Sequence, residues 1–168
     1  MKIKDLVIIS ILTTILFVVE QVLTFIPNVQ LTFLLIIVYS KVLKTKKTLF
    51  IILIHVLIDN LFMGTFNIVF IPFMYMGYII IPITLNTIFK NIDNEIKIAL
   101  LSIIYSIIYC TIFVIPNSIV YGINLIDYLV ADLPFALILS ISSFISILWL
   151  YKPLNKKLTE LINKNDSE

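Results

Sequence analysis

The stretch VQLTFLLIIVYSKVLKTKK, residues 29–47, sets an apolar run directly against four lysines, Lys41, Lys44, Lys46 and Lys47. Similar apolar runs lie on both sides of it, and runs of about 20 such residues are long enough to cross a bilayer as helices. Of the 168 residues, 61% are hydrophobic and only 13% are charged, and the mean hydropathy is +1.12. This composition is typical of integral membrane proteins.

Hydropathy and the positions of proline and glycine predict six spans within a single transmembrane domain, residues 1–168. The predicted fold class is therefore all-α, a polytopic six-helix bundle. The spans are approximately 6–26, 29–43, 48–64, 67–89, 96–116 and 128–151, followed by a tail at 152–168. The second span is short, so we expect it to tilt, thin the bilayer or let its lysines snorkel. The polar tail is expected to be a short helix end that frays.

The lysines occupy alternate connections between these spans. They precede the first span, separate the second from the third and the fourth from the fifth, and follow the sixth. Because an even number of spans separates these segments, they share one side, which the positive-inside rule makes cytoplasmic. The predicted localisation is the cell membrane, multi-pass, with both termini in the cytoplasm.

Several function classes are disfavoured by the residues. Every basic residue is lysine and the net charge is only +2, which argues against nucleic acid as a partner. One histidine and one cysteine do not form a recognisable metal-ligand set. Phosphate-binding loops and the common hydrolase motifs are missing from the sequence. We therefore predict that the chain is not an enzyme and binds neither a metal nor a cofactor of its own.

Polar side chains gather toward the side opposite the lysines. Ionisable groups in a span are costly and usually face a cavity or the bundle interior, so each is a functional candidate. The candidate substrate-binding residues are Glu20, Gln21, Asn28, Gln30, Asp59, Asn67, Tyr78, Asn117, Tyr121, Asp127 and Asp132. A cavity with carboxylates and amides but no cation favours a cationic or neutral ligand. Aromatic residues in this layer could stack on a ring, hold a cation, or simply anchor the interface.

Two pairs at helical spacing leave alternatives open. His55 and Asp59 are four residues apart, so they share a helix face and could form a structural pair, contact ligand or couple to protons. Ser10 and Thr14 form a small-xxx-small pair that would let another helix approach the first span closely.

The segment EQVLTFIPNVQLT, residues 20–32, resembles the first helix and gating loop of the substrate-binding S components of energy-coupling factor (ECF) vitamin transporters. Two further stretches are similar to that family: Ile71-Pro72-Phe73 leading to Gly77-Tyr78, and the ADLPF sequence at 131–135 running to Lys152-Pro153-Leu154. The resemblance covers nearly the whole chain.

The resemblance implies a subunit that binds a vitamin or related micronutrient from outside and supplies specificity only. Its partners would be a transmembrane coupling protein and two cytoplasmic ATPases that use ATP. Ser10 and Thr14 stand where the family has an alanine-xxx-alanine contact with the coupling protein. The loop from Pro27 to Gln30 would close over the ligand, and spans four to six would supply much of the pocket.

A scaffold of the rod-shape MreD type is the alternative. Such proteins resemble S components in size and number of spans, and Asp59 followed by Gly64 suits them. A scaffold would bind protein partners and transport nothing.

Overall fold

The computed structural model describes residues 3–64 and 67–166, with side chains described to residue 164. These residues form helices and turns, with no strand among them. The helices are α1 (Ile3–Leu23), α2 (Thr32–Phe62), α3 (Phe70–Asn86), α4 (Glu95–Ile112), α5 (Val114–Tyr121) and α6 (Leu125–Asp166). Helices are the expected outcome for such apolar runs, because a helix satisfies its own backbone hydrogen bonds without water.

Three helical stretches in the described part of the chain are long and apolar enough to cross a membrane. They are Ile3–Leu23, Glu95–Tyr121 and Leu125–Lys164, and Phe70–Asn86 is a shorter apolar helix. The all-α class predicted from the sequence is confirmed for the described residues, and the long apolar helices are consistent with the predicted membrane protein.

Helix α2 contains both the second and the third predicted span and bends back on itself at one residue. Lys44 has φ 67° and ψ 172°, which separates a first arm, 32–43, from a second arm, 45–62. In an unbroken helix Thr32 and His55 would lie roughly 35 Å apart. Both instead contact the same Glu20 oxygen, at 3.2 and 2.8 Å. The arms are therefore an antiparallel pair, joined by one residue where the sequence suggested a longer loop.

Lys44→Gly is expected to raise the free energy of unfolding by about 1 kcal/mol. Positive φ combined with an extended ψ is a conformation that only glycine adopts readily, and other residues lose about 1–3 kcal/mol there. The flexibility of glycine in the unfolded chain offsets about 0.5–1 kcal/mol of that gain. The matched control is Lys46→Gly, in the regular second arm, which should be destabilising. Unfolding in mixed detergent micelles measures both, and a Lys44→Gly protein no more stable than the control would contradict the bend.

The first arm of α2 is the centre of the bundle. Every residue from Thr32 to Ser40 is buried, and the arm contacts several helices. The Tyr39 hydroxyl donates to Leu12 O of α1 at 3.2 Å, and Asn86 Nδ2 of α3 donates to Ser40 O at 3.1 Å. The short second predicted span therefore packs against other helices along most of its length.

Lys41, expected to snorkel, is held inside the protein instead. Its side chain is 9% exposed, and Nζ donates to the carbonyl oxygens of Phe89 at 3.4 Å and Lys90 at 3.2 Å. A lysine bound to carbonyls just after a helix has the favourable charge sign for the helix C-terminal dipole.

Ion pairs collect the lysine-bearing segments at one end of the bundle, which we call the lysine end. The pairs are Lys41–Asp93 at 3.6 Å, Lys47–Asp5 at 2.6 Å and Lys152–Glu95 at 2.7 Å. They join the start of α1, the α2 bend, the α3–α4 turn and α6. The alternating lysine pattern in the sequence thus corresponds to one end of the folded chain.

Helices α4, α5 and α6 depart from the predicted bounds of the last two spans. The predicted span 96–116 is divided at Phe113 into α4 and the short α5. Ser106 of α4 and Ser143 of α6 are buried with their Oγ atoms 2.9 Å apart, and such small residues allow close helix contact.

The predicted tail is helical over most of its length, because α6 continues to Asp166. Its residues Leu154, Leu158 and Leu161 line an apolar groove with Leu12 and Ile15 of α1. Apolar side chains at this spacing form one helix face, which is consistent with the helix continuing beyond the predicted end of the span.

Candidate functional site

A buried carboxylate joins the ends of three helical segments. Glu20, in the last turn of α1, is 8% exposed, and its Oε2 accepts a hydrogen bond from Thr32 Oγ1 at 3.2 Å. The same oxygen lies 2.8 Å from His55 Nε2. Among the described residues His55 has no hydrogen bond of good geometry at either nitrogen, and its side chain is fully buried. The Glu20 carboxylate and the His55 imidazole are therefore in close contact, and Glu20 links α1 to both arms of α2.

Asp59 lies one helical turn beyond His55 on α2. Its Oδ1 accepts a hydrogen bond from Gln21 Nε2 of α1 at 2.7 Å. The structure thus pairs each residue of the suspected His55–Asp59 couple with α1: His55 with Glu20, and Asp59 with Gln21. The shared helix face was correctly inferred, but the partners come from a neighbouring helix.

The first cavity, which we call the loop cavity, lies beneath the segment that joins α1 to α2 and has a volume of about 270 Å³. Its lining comprises Glu20, Leu23, Thr24, Ile26, Pro27, Asn28, Val29, Gln30, Asp59 and Met63. Ser142 of α6 fixes the end of this segment, since its Oγ lies 3.1 Å from Gln30 N and 3.3 Å from Gln30 O. Two carboxylates and two amides therefore line one cavity.

The second cavity, which we call the aromatic cavity, has a volume of about 370 Å³. Its lining comprises Asp59, Asn60, Met63, Asn67, Phe70, Met74, Tyr109, Phe113 and Tyr121. The aromatic rings are close neighbours, with centroids 5.0 Å apart for Tyr109–Phe113 and 6.1 Å for Phe70–Tyr121. This cavity combines a carboxylate and two amides with aromatic walls.

Tyr78 packs behind the aromatic cavity. It is fully buried, and its ring centroid lies 4.6 Å from that of Tyr109 and 6.2 Å from that of His55. The preceding residue, Gly77, is where α3 meets Tyr109, because a Cβ there would come within 2.6 Å of the Tyr109 ring. Tyr78 therefore supports the cavity wall and does not line either cavity.

The predicted site residues fall into two groups. The structure gathers Glu20, Gln21, Asn28, Gln30 and Asp59 around the loop cavity, and places Asn67 and Tyr121 in the aromatic cavity beside Asp59.

Besides Gln21 and Tyr78, three predicted residues lie outside both linings. Asn117 Nδ2 donates to Phe113 O at 2.8 Å, within its own helix. Asp127 is exposed in the first turn of α6, and Asp132 is half-buried against the Cys110 thiol.

Ser10 and Thr14, predicted to contact a partner, lie exposed on α1. Their hydroxyls donate to Leu6 O and Ser10 O, each at 2.9 Å, within the helix. This back-bonding satisfies the hydroxyls in an apolar environment and leaves a face of small side chains available.

Several cavity residues escaped the sequence analysis, notably Phe70, Tyr109 and Phe113. Tyr109 and Phe113 are four residues apart on the α4 side, a spacing that puts them on one face. The spacing is visible in the sequence, but an aromatic pair on a membrane helix also suits a lipid-facing surface. The spacing alone therefore does not indicate a cavity.

The charge distribution around the two cavities is one-sided, since neither lining contains a lysine. Among the described residues, no group of three or more His, Cys, Asp or Glu side chains is placed to hold a metal ion. No protein-family model, curated protein or solved structure matches the chain. The arrangement is chemically suited to holding hydrogen-bond donors or a positive charge.

Proposed function

We propose that the protein is the substrate-binding S component of an ECF-type importer. It binds a vitamin or related micronutrient, cationic or neutral, from outside the cell. It then docks on a transmembrane coupling protein whose two ATPase subunits use ATP. In this proposal the two arms of α2 count as two of six spans, both termini are cytoplasmic, and the chain itself carries no enzymatic activity and no cofactor.

The observation that carries the proposal is the pair of carboxylates, Glu20 and Asp59, beside a cavity remote from the lysine end. Along its helix, Glu20 lies roughly 22 Å from Asp5, and Asp59 roughly 18 Å from Lys47. Acidic groups at such depth are costly in a membrane and are usually retained for substrate or ion binding. With the lysine end in the cytoplasm, the cavities face outward, as uptake requires.

The exposed face of α1 supports the docking part of the proposal. Ser10 and Thr14 lie there among exposed apolar side chains, including Leu6, Val7 and Ile11. Small residues at four-residue spacing allow a second helix to approach closely in a membrane.

Isolation of the tagged protein from native membranes, followed by mass spectrometry, tests the proposal. We expect a coupling protein and two ATPases to accompany it, together with a bound micronutrient. The double variant Ser10→Leu/Thr14→Leu should lose these proteins while keeping the small molecule, because bulky side chains prevent close helix contact.

The matched control is Thr111→Leu. Thr111 is exposed and its hydroxyl bonds back to Ile107 O at 2.7 Å, just as Ser10 and Thr14 bond within α1. The control should retain all partners. Recovery of cell-shape and wall-synthesis proteins in place of ATPases would contradict the proposal and support the scaffold alternative.

A further inference from the structure

We infer that the loop cavity and the aromatic cavity are two lobes of one ligand site. Its ligand has a planar ring, one positive charge and a polar arm that carries hydrogen-bond donors. The ring occupies the aromatic cavity, the charge lies at Asp59 where the lobes meet, and the arm enters the loop cavity. This inference rests on the proposed function for the existence of a small-molecule ligand and adds its chemical class.

The two lobes share a wall. Asp59 and Met63 belong to both linings, and Met63 is 50% exposed. A methionine side chain has three rotatable bonds and adapts its shape readily, so its movement joins the cavities. Sites for small organic ligands typically measure about 300–1,000 Å³. The aromatic cavity, at about 370 Å³, lies within that range, whereas the loop cavity, at about 270 Å³, reaches it only when joined to its neighbour.

Asp59 is the carboxylate available to a cationic ligand. Glu20 is already in contact with Thr32 and His55, whereas Asp59 receives one neutral amide hydrogen bond, from Gln21. No ion pair between described residues includes Asp59. A partly buried carboxylate that makes no ion pair within the described chain favours a ligand that carries a positive charge.

The aromatic lobe selects for a ring. Phe70, Tyr109, Phe113 and Tyr121 line it within ring-to-ring contact distances. Aromatic faces attract a cation placed over them and stack with a flat ring. The Asp59 carboxylate at the edge of this lobe repels negative charge. Ligands whose ring carries a phosphate or carboxylate group are therefore excluded from the site.

The loop lobe supplies acceptors for the arm. Gln30 Oε1 is buried and has no hydrogen-bond partner among the described residues, and Gln30 lines the cavity together with Asn28. A buried acceptor without a partner carries a free-energy cost that a donor on the ligand removes. The arm is therefore one with a hydroxyl or amino group.

A probe series tests each feature separately. Benzyldimethyl(hydroxyethyl)ammonium has the ring, the charge and the hydroxyl arm. Its carbon isostere lacks only the charge, choline lacks the ring, and benzyltrimethylammonium lacks the hydroxyl. We expect the complete probe to bind purified protein in nanodiscs about tenfold more tightly than each of the others, as measured by calorimetry or ligand-observed NMR. Equal affinity of the cation and its carbon isostere, or no binding by any probe, overturns the inference without requiring a variant.

Three variants locate the features. Asp59→Asn should abolish the preference for the cation over the isostere, whereas the control Asp93→Asn, at the lysine end, should retain it. Tyr109→Leu should lower the affinity for the complete probe to the affinity measured for choline. Met63→Trp fills the junction and should remove the advantage of the hydroxyl arm while benzyltrimethylammonium still binds. An unchanged arm advantage in Met63→Trp would show that the arm does not cross between the lobes and would overturn the single-site inference.

The two proposals fail in different ways. If the coupling protein and ATPases co-purify but the bound micronutrient is anionic or lacks a ring, the transport function stands and the ligand class is wrong. If the probe series gives the expected order but no coupling protein is recovered, the ligand class stands and the transport function is wrong.

Discussion

Replacing Glu20 by alanine is expected to lower the free energy of unfolding by about 3 kcal/mol. The change removes the carboxylate that contacts both Thr32 and His55 and leaves a fully buried imidazole without that partner. Leaving a buried polar group unpaired costs about 1–3 kcal/mol, and the change removes the carboxylate partner of two such groups. Unfolding in mixed detergent micelles measures the loss. The control, Glu160→Ala on the exposed face of the tail, should change the stability by less than about 0.5 kcal/mol.

A double-mutant cycle separates the Glu20–His55 contact from the other consequences of truncation. His55→Ala alone also removes packing, because the His55 ring lies 6.2 Å from that of Tyr78. Residues in direct contact usually show a coupling energy of about 0.5–3 kcal/mol. If the two changes are additive in the double variant, the contact between α1 and the second arm does not stabilise the fold.

The sequence predicted which residues lie at the same end of the bundle more reliably than it predicted which side chains contact one another. Helical periodicity placed His55 and Asp59 on one face. It could not show that α1 covers that face and supplies Glu20 and Gln21 as separate partners, because partner choice depends on how helices pack. The lysine pattern was more informative, since charges in a membrane protein are sorted by side rather than by individual contacts.

The bend at Lys44 and the helical tail show two limits of reading local sequence. Glycine and proline, the usual markers of a tight turn, are missing from residues 41–47, so a one-residue connection had no local marker. In the tail, the spacing of Leu154, Leu158 and Leu161 matches one face of a helix. The charged residues around them instead led to the prediction of a helix end that frays. The groove that these side chains line together with residues of α1 is visible only in the folded chain.

The aromatic cavity was partly missed for a similar reason. Tyr121 and Asn67 were recognised because polar atoms stand out in an apolar chain, whereas Phe70 and Phe113 have none. In a membrane protein the same apolar residues face lipid and line pockets, since lipid tails are as apolar as the interior. Hydropathy therefore identifies the polar half of such a site and leaves its apolar half undetermined.

Replacing isoleucine by alanine is expected to have a large effect in the first arm of α2 and almost none on the exposed face of α1. Ile36→Ala should lower the free energy of unfolding by about 2–5 kcal/mol, because Ile36 is completely buried and truncation leaves a cavity between packed helices. Ile11→Ala, at a position 54% exposed on α1, should change it by less than about 0.5 kcal/mol. There, lipid or detergent fills the vacated space, and alanine is the better helix former. Unfolding of both variants under identical detergent conditions provides the comparison. Equal losses would mean that the first arm meets lipid as α1 does, and the central placement of the short second span would then be wrong.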